Sequence, residues 1–153
     1  MKTLNNYINE ALIKKDTKIG NWNYFPKDRE ELRSLIEQLL EERGKDANLN
    51  DIDTSKITDM SYLFYENVFE YFNGDISMWD VSNVTNMQFM FYECKTFNCD
   101  LSSWDVSNVK NMHAMFWNCK KFKQNLNGWD VSNVENMFAA FHACPKKPKW
   151  YKK

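Results

Sequence analysis

One six-residue phrase, WDVSNV, occurs three times in this chain. It occupies residues 79–84, 104–109 and 129–134, so each copy follows the previous one after 25 residues. A fixed period of roughly 20–50 residues is the sequence signature of proteins built from stacked structural repeats. The pattern therefore predicts that neighbouring units pack against each other and share one core.

Apolar residues in each copy follow the spacing of an amphipathic helix. Those of the middle copy are Val109, Met112, Met115, Phe116 and Cys119. Their separations of three, three, one and three residues form one face of a helix of about three turns. Ser107 stands where a helix N-cap is expected, and the stretch 101–106 before it is predicted to be extended. We therefore predict a repeat solenoid of α/β class, with one short extended segment and one short helix per 25-residue repeat.

The same pattern predicts helices over residues 84–94 and 134–144, and a degenerate first copy runs from Ile52 to Phe64. We assign residues 51–144 to about four repeat units. Two further helices, over residues 4–15 and from Asp28 to Arg43, are predicted to form an N-terminal helical cap within residues 1–50. A partner-binding arm is the alternative role for these two helices.

The motif WDVSNV-x-N-M-x-x-M-F-x-x-C-x-x-F resembles a bacterial surface-protein repeat of about 25–26 residues. It is found in mycoplasma lipoprotein-type proteins and in the BspA-like branch of leucine-rich repeats, and the resemblance covers about residues 52–144. It implies a leucine-rich-repeat-like solenoid that binds other macromolecules and supplies no catalytic residues. Many proteins of this kind are exported.

Aspartate and asparagine recur at fixed places in the copies. The three columns are Asp80, Asp105 and Asp130, then Asn83, Asn108 and Asn133, then Asn86, Asn111 and Asn136. We expect them to satisfy backbone groups at the turn into each helix rather than to bind a metal. Cysteine also keeps one place, at Cys94, Cys119 and Cys144. This predicts a column of small buried thiols rather than a disulfide framework or a zinc site.

Nothing in the sequence indicates catalysis. Glycine occurs only at positions 20, 44, 74 and 128, too sparsely for a phosphate-binding loop, and the H-E-x-x-H and G-x-S-x-G motifs are missing. We predict no enzyme activity, no cofactor and no metal. The first residues have no apolar run of signal-peptide length, and no stretch approaches about 18 apolar residues. The sequence therefore predicts a cytoplasmic protein without membrane contact, unless it is a trimmed piece of an exported one.

Aromatic side chains recur next to the apolar face of the predicted helices. The residues directly after the inward phenylalanine or its equivalent are Tyr65, Tyr92, Trp117 and His142, and Phe89 joins them. Semi-exposed aromatic side chains are typical of binding hot spots, so we predict that these five bind a protein partner of unknown identity. The alternative is that they pack between adjacent helices.

The C-terminal tail, residues 145–153, combines positive charge with aromatic side chains. Its candidates for nucleic-acid contact are Lys146, Lys147, Lys149, Trp150, Tyr151, Lys152 and Lys153. Such a mixture can bind phosphates and stack on bases. This makes a binder of nucleic acid or ribonucleoprotein, such as a phage-type inhibitor of a host nuclease complex, the alternative function. In the other interpretation the tail is a solubilising cap with Trp150 over the last repeat. A third possibility is a fragment of an exported adhesin-like surface protein.

Overall fold

The computed structural model describes residues 22–152, and the one α-helix of this range is the element that local sequence explains best. Helix α1, Arg29–Arg43, begins after Asp28, whose Oδ1 accepts a first-turn N–H at 2.9 Å. It ends at Gly44, which has a φ of +87° and donates its N–H to the last turn. The helix predicted from Asp28 to Arg43 is thus confirmed. The helix predicted over residues 4–15 lies outside the described residues.

We call each copy of the motif together with the ten residues after it a WDVSNV segment (residues 79–94, 104–119 and 129–144), and the degenerate copy that begins at Ile52 the first segment. None of these segments is helical. Within residues 44–152 the structure contains one turn of 3-10 helix, Asn67–Phe69, and isolated parallel β-bridges, but no further α-helix and no sheet. The helices predicted over 84–94, 109–119 and 134–144 consist of turns, and the predicted extended stretches form no strand. The prediction of an α/β repeat solenoid of leucine-rich-repeat type is therefore wrong.

Residues with left-handed backbone interrupt each predicted helix. Phe89 and Glu93 have φ values of +54° and +61°, and a right-handed α-helix cannot continue through such residues. The N–H groups of Met90 and Cys94 donate to carbonyls three residues earlier, at 3.2 and 3.0 Å. Because each turn advances the chain by three or four residues, the inward side chains keep a spacing that also fits a helix.

Ala143 is one of several non-glycine residues with a left-handed backbone conformation, and its φ is +57°. Because glycine adopts this conformation without the steric cost of a Cβ, Ala143→Gly should raise the free energy of unfolding by about 1 kcal/mol. Ala140 is fully buried and has no positive φ, so the control Ala140→Gly should lower that free energy by a similar amount. Urea denaturation followed by circular dichroism measures both. A destabilised Ala143→Gly variant would contradict this backbone conformation.

Hydrogen bonds between neighbouring segments replace those of a helix. The alternate N–H groups of residues 87, 89, 91 and 93 donate to the carbonyls of residues 111, 113, 115 and 117, at 2.8–2.9 Å. The same alternation joins residues 112–118 to residues 136–142. Parallel bridges link Asp59 to Asn86, Asn86 to Asn111, and Asn111 to Asn136. The backbone donors are thus satisfied by residues far away in sequence.

Stacked phenylalanine rings fill the space between the segments. One row consists of Phe64, Phe91, Phe116 and Phe141, with ring centroids 5.3, 5.3 and 5.1 Å apart. The other consists of Phe72, Phe97 and Phe122, with centroids 5.7 and 5.9 Å apart. Each ring is at most 1% exposed, and burial of such a side chain contributes roughly 1.5–3 kcal/mol. Both rows belong to one core that includes the apolar side of α1.

Aspartate and asparagine side chains satisfy backbone groups at the turns, as predicted. Asp105 accepts the Ser107 N–H at 3.0 Å. The predicted N-cap role of Ser107 is wrong, because no helix begins after this residue in the described part of the chain. Asn108 donates to the Ser82 carbonyl at 2.8 Å, and Asn111 accepts the N–H two residues further on at 3.0 Å. Equivalent bonds are made by Asp80, Asp130, Asn83, Asn133, Asn86 and Asn136.

Helix α1 packs on the first segment and supplies donors to its carbonyls. The Arg33 guanidinium donates to the carbonyls of Tyr62 at 2.7 Å and Tyr65 at 3.0 Å. Arg29 donates to the Ser61 hydroxyl at 2.8 Å. The carbonyls of Ser61, Leu63 and Tyr65 correspond to those of residues 113, 115 and 117, and they accept from Arg29 at 3.4 Å and from Arg33 at 3.5 and 3.0 Å. At these carbonyls the two arginines take the place of the backbone N–H groups that a preceding segment would offer.

Candidate interaction surface

Four of the five predicted protein-binding residues form one row of rings. The ring centroids of Tyr65 and Tyr92 are 5.4 Å apart, those of Tyr92 and Trp117 6.0 Å, and those of Trp117 and His142 3.9 Å. Tyr65 and His142 are exposed, and the two rings between them are half-buried. Each follows directly after a core phenylalanine in the sequence, so the buried and the exposed rows run alongside each other.

A second row lies beside the first, and the sequence pattern predicts it only in part. Tyr62 stacks on Phe89 at 4.9 Å, Phe89 meets the edge of His113 at 4.8 Å, and His113 stacks on Phe138 at 5.7 Å. The two rows touch, with the rings of Tyr62 and Tyr65 5.4 Å apart. We refer to eight side chains as the aromatic face: Tyr62, Tyr65, Phe89, Tyr92, His113, Trp117, Phe138 and His142.

Sequence reasoning missed Tyr62, His113 and Phe138 because they do not keep one place in the repeat. Tyr62 and Phe89 are equivalent, but the next two segments have alanine there, and the aromatic residue moves one position earlier. A comparison of the copies that allows a shift of one residue would have found all three.

The two rows end at a cavity of about 470 Å³. His142 stacks on Trp117 with one ring face and Phe138 stacks on His113, and no further ring within residues 22–152 stacks on either. Phe138 is 74% exposed. The cavity is lined by Trp117, Met137, Phe138, Ala139, His142, Lys147, Tyr151 and Lys152. It therefore combines open aromatic surface with two ammonium groups.

Charge differs between the two ends of the aromatic face. A smaller cavity of about 250 Å³ lies near the first segment and is lined by Tyr65, Glu66, Asn67, Tyr92 and Glu93. Carboxylates therefore flank this end, whereas Lys147 and Lys152 flank the other. A partner that binds along the whole face would be complementary if it carried positive charge near the glutamates and negative charge near the lysines.

The aromatic residues of the basic tail pack on the last WDVSNV segment. Trp150 stacks on Trp129 at 6.4 Å and donates from Nε1 to the Leu126 carbonyl at 2.7 Å. Tyr151 meets the Phe141 ring edge-on at 5.2 Å. The exposed lysines are Lys146, Lys147, Lys149 and Lys152, and Lys153 lies outside the described residues. Stacking on bases needs an open ring face, and the Trp150 ring is half-buried against Trp129.

Trp150 continues a series of tryptophan hydrogen bonds. The Nε1 groups of Trp79, Trp104 and Trp129 donate to the carbonyls of Leu49, Ile76 and Leu101, at 2.9, 3.2 and 2.9 Å. Ile76 and Leu101 lie three residues before the tryptophan of the preceding segment, as Leu126 lies before Trp129. Trp150 thus occupies the place that the tryptophan of a further segment would take.

Comparison with known families places this surface inside a recognised sequence domain. A sequence model of the family described as "Mycoplasma protein of unknown function, DUF285" matches residues 32–151. The chain belongs to this family. The match spans the whole aromatic face and both tail aromatic residues, so the predicted resemblance to mycoplasma proteins is confirmed at the level of DUF285. Searches of curated proteins and of solved structures found no match.

The cysteines of this DUF285 protein are free thiols. Cys94, Cys119 and Cys144 are buried, and each Sγ donates to a carbonyl of the neighbouring segment, at 3.4, 3.0 and 2.8 Å. The predicted column of buried thiols is confirmed. Burial raises the pKa of the half-buried Cys99 thiol to about 11, so this group is almost entirely protonated at neutral pH.

Two further properties concern ligands and membranes. Within residues 22–152, no group of three or more His, Cys, Asp or Glu side chains is placed to hold a metal ion. No helix in the same range is long and apolar enough to cross a membrane. Helix α1 has 15 residues, against about 20 needed to span a bilayer.

Proposed function

We propose that this DUF285 protein is a non-enzymatic module that binds another protein through its aromatic face. The observation that carries the proposal is the arrangement of eight aromatic side chains in two adjoining surface rows. Tyrosine and tryptophan are among the residues that most often dominate binding energy at protein interfaces. By covering a surface of its partner, such a module acts as an inhibitor or as an adaptor.

The packing of the rows supports this function. Tyr92 and Trp117 are half-buried between the rings before and after them, at centroid distances of 3.9–6.0 Å. Each side chain that is already ordered spares roughly 0.5–1.5 kcal/mol of entropy cost on binding. Contiguous exposed apolar patches on soluble proteins often mark interaction sites. The aromatic face is therefore suited to bind without rearrangement.

We further propose that the module works in a reducing compartment, in keeping with the predicted cytoplasmic location. The support is chemical: disulfides form in oxidising compartments, and the four cysteines are free. An exported adhesin-like surface protein is the competing proposal. Fractionation of the source cells separates the two, since the competing proposal requires the protein in the surface fraction.

Site-specific photo-crosslinking tests the protein-binding function. The photoreactive residue benzoylphenylalanine replaces Tyr65, and the chain is irradiated in a lysate of the cells that encode it. The matched control places the same residue at Met78, which is 75% exposed but lies outside the aromatic face. We expect an adduct with a polypeptide from position 65 and none from position 78. Equal adducts from both positions, or none from either, would overturn the proposal.

Trp117→Ala should weaken the same crosslink without unfolding the protein. Truncation of an interface tryptophan that dominates binding costs about 2 kcal/mol or more, which corresponds to at least about a 25-fold loss of affinity and lowers the yield of adduct accordingly. Because the ring is half-buried, we expect Tm to fall by less than about 8 °C. A larger fall would show that Trp117 belongs to the core. An adduct that disappears after nuclease treatment would instead identify nucleic acid as the ligand.

A further inference from the structure

Within residues 22–152, the last WDVSNV segment leaves unpaired the backbone donors whose equivalents are hydrogen-bonded in the preceding segments. The N–H groups of Met112, Ala114, Phe116 and Asn118 donate to carbonyls of residues 136–142, at 2.7–2.9 Å. The equivalent donors 25 residues later belong to Met137, Ala139, Phe141 and Ala143. None of these four N–H groups has an acceptor within residues 22–152. These four N–H groups end the hydrogen-bonding pattern within the described residues, and we call them the open edge.

Unpaired alternate N–H groups are the feature by which a protein edge takes up an added chain. Residues two apart in an extended chain point their carbonyls in the same direction, so alternate carbonyls of an extended segment match alternate donors. Alternate carbonyls of residues 136–142 already accept from alternate N–H groups of residues 112–118, although residues 138–143 form turns and not a strand. An added chain can therefore pair with such a row of donors even though the row does not belong to a sheet.

The opposite end of the molecule is different, and this argues against a second copy as the occupant. There the carbonyls of Leu63 and Tyr65 already accept from Arg33, and the carbonyl of Ser61 accepts from Arg29. A second copy could dock its first segment on the open edge only by displacing α1. Because α1 buries four apolar side chains in the core, that displacement would be costly.

The tail leaves one part of the open edge accessible. Trp150 and Tyr151 contact the Phe141 ring at 5.7 and 5.2 Å, so they lie over this part of the edge. Met137 and Ala139 instead line the 470 Å³ cavity, next to the open ring faces of Phe138 and His142. Two residues whose N–H groups belong to the open edge, two exposed rings and two lysines therefore line one cavity.

We propose that this cavity binds an extended, acidic segment of the partner protein. Carbonyl oxygens of that segment accept from the Met137 and Ala139 N–H groups, an aromatic side chain of the partner stacks on His142, and a carboxylate pairs with Lys147 or Lys152. The inference rests on the proposed protein-binding function and names the kind of partner segment and its point of attachment.

Three synthetic nonapeptides and the full ¹⁵N-labelled chain test the inference. The first peptide is Asp-Asn-Met-Asp-Trp-Met-Phe-Trp-Asp, the second has lysine for each aspartate, and the third has glycine for each aromatic residue. At about 1 mM, the first peptide should slow hydrogen exchange of the Met137 and Ala139 amides about 10-fold or more, because a hydrogen-bonded amide exchanges only after opening. The other two should protect these amides at least about 3-fold less.

Charge reversal supplies a second measurement that does not depend on the backbone. The double variant Lys147→Glu and Lys152→Glu should lower the affinity for the first peptide at least about 5-fold, because the new glutamates repel the aspartates of the peptide. The matched control, Lys121→Glu with Lys123→Glu, changes the net charge equally at exposed positions outside the cavity and should change affinity less than 2-fold at about 0.15 M salt. Equal weakening by both double variants would overturn the proposal.

Other occupants of the edge give distinct outcomes. No protection of Met137 and Ala139 by any peptide overturns the inference. Protection that rises with protein concentration without peptide shows a second copy on the edge and also overturns it. Crosslinking from position 65 without peptide protection leaves the proposed function intact and refutes only this cavity. Peptide protection without crosslinking from position 65 refutes the extended aromatic face instead.

Discussion

Phe91→Ala should lower the free energy of unfolding by about 3–5 kcal/mol, the range found when a buried phenylalanine is truncated in a packed core. The Phe91 side chain is fully buried. Its ring centroid lies 4.2 Å from that of Phe97 and 5.3 Å from those of Phe64 and Phe116. Because these rings come from four different turns, the cavity left by the alanine cannot close by a local shift. Urea denaturation monitored by tryptophan fluorescence measures the loss.

Phe138→Ala is the matched control for Phe91→Ala. It removes the same side chain from a position that is 74% exposed, so the free energy of unfolding should change by no more than about 0.5 kcal/mol. A loss below about 1.5 kcal/mol for Phe91→Ala would contradict the close ring packing between the segments. Equal losses for the two variants would contradict the separation of a buried row from an exposed one.

Gly74→Ala should lower the free energy of unfolding by about 3 kcal/mol, at the upper end of typical overpacking costs. A Cβ at residue 74 would stand 2.5 Å from a ring carbon of Phe72 and 2.6 Å from the Ala47 carbonyl oxygen. The Phe72 ring cannot move aside easily, because it stacks on Phe64 at 4.3 Å. The Ala47 carbonyl is held by the Asp75 N–H at 3.0 Å. Thermal and urea denaturation both report the change.

Gly128→Ala tests whether the effect at Gly74 is steric. A Cβ at residue 128 would meet no heavy atom within 4 Å. The substitution should therefore change the free energy of unfolding by less than about 0.5 kcal/mol, with a small gain from the stiffer unfolded chain. If Gly128→Ala were as destabilising as Gly74→Ala, the close approach of Phe72 and Ala47 would not explain the loss.

Helix α1 could be predicted because its signals are local. Asp28 supplies a side-chain acceptor for the first turn and Gly44 takes the positive φ at the end, and the apolar period between them needs no information from elsewhere. The WDVSNV segments gave an equally clear period, yet their backbone differs. Phe89 and Glu93 adopt left-handed conformations although neither is glycine, so no residue type marked the interruption.

The candidate surface likewise contains some residues that the sequence could predict and others that it could not. Tyr65, Tyr92, Trp117 and His142 could be predicted because each follows an inward residue at a constant place. Phe138 could not be predicted, for two reasons. The residue at its own position in the preceding repeat is a histidine, His113, and both residues stand one position earlier in the repeat than Phe89 does. The unpaired N–H groups of Met137 and Ala139 within residues 22–152 could not be predicted either. Every non-proline residue has a backbone N–H group, and only the folded structure shows whether that group has an acceptor.

The sequence alone was enough to establish the 25-residue period, the inward phenylalanines, the capped helix α1 and the use of Asp and Asn side chains at the turns. Each of these depends on contacts within a few residues or on the identity of repeated positions. The path of the backbone was decided only in the folded molecule. There, alternate N–H groups such as those of Met87 and Phe91 donate to the next segment rather than to their own turn. Which carbonyl satisfies a given N–H is a matter of three-dimensional neighbours, and the spacing of apolar residues does not record it.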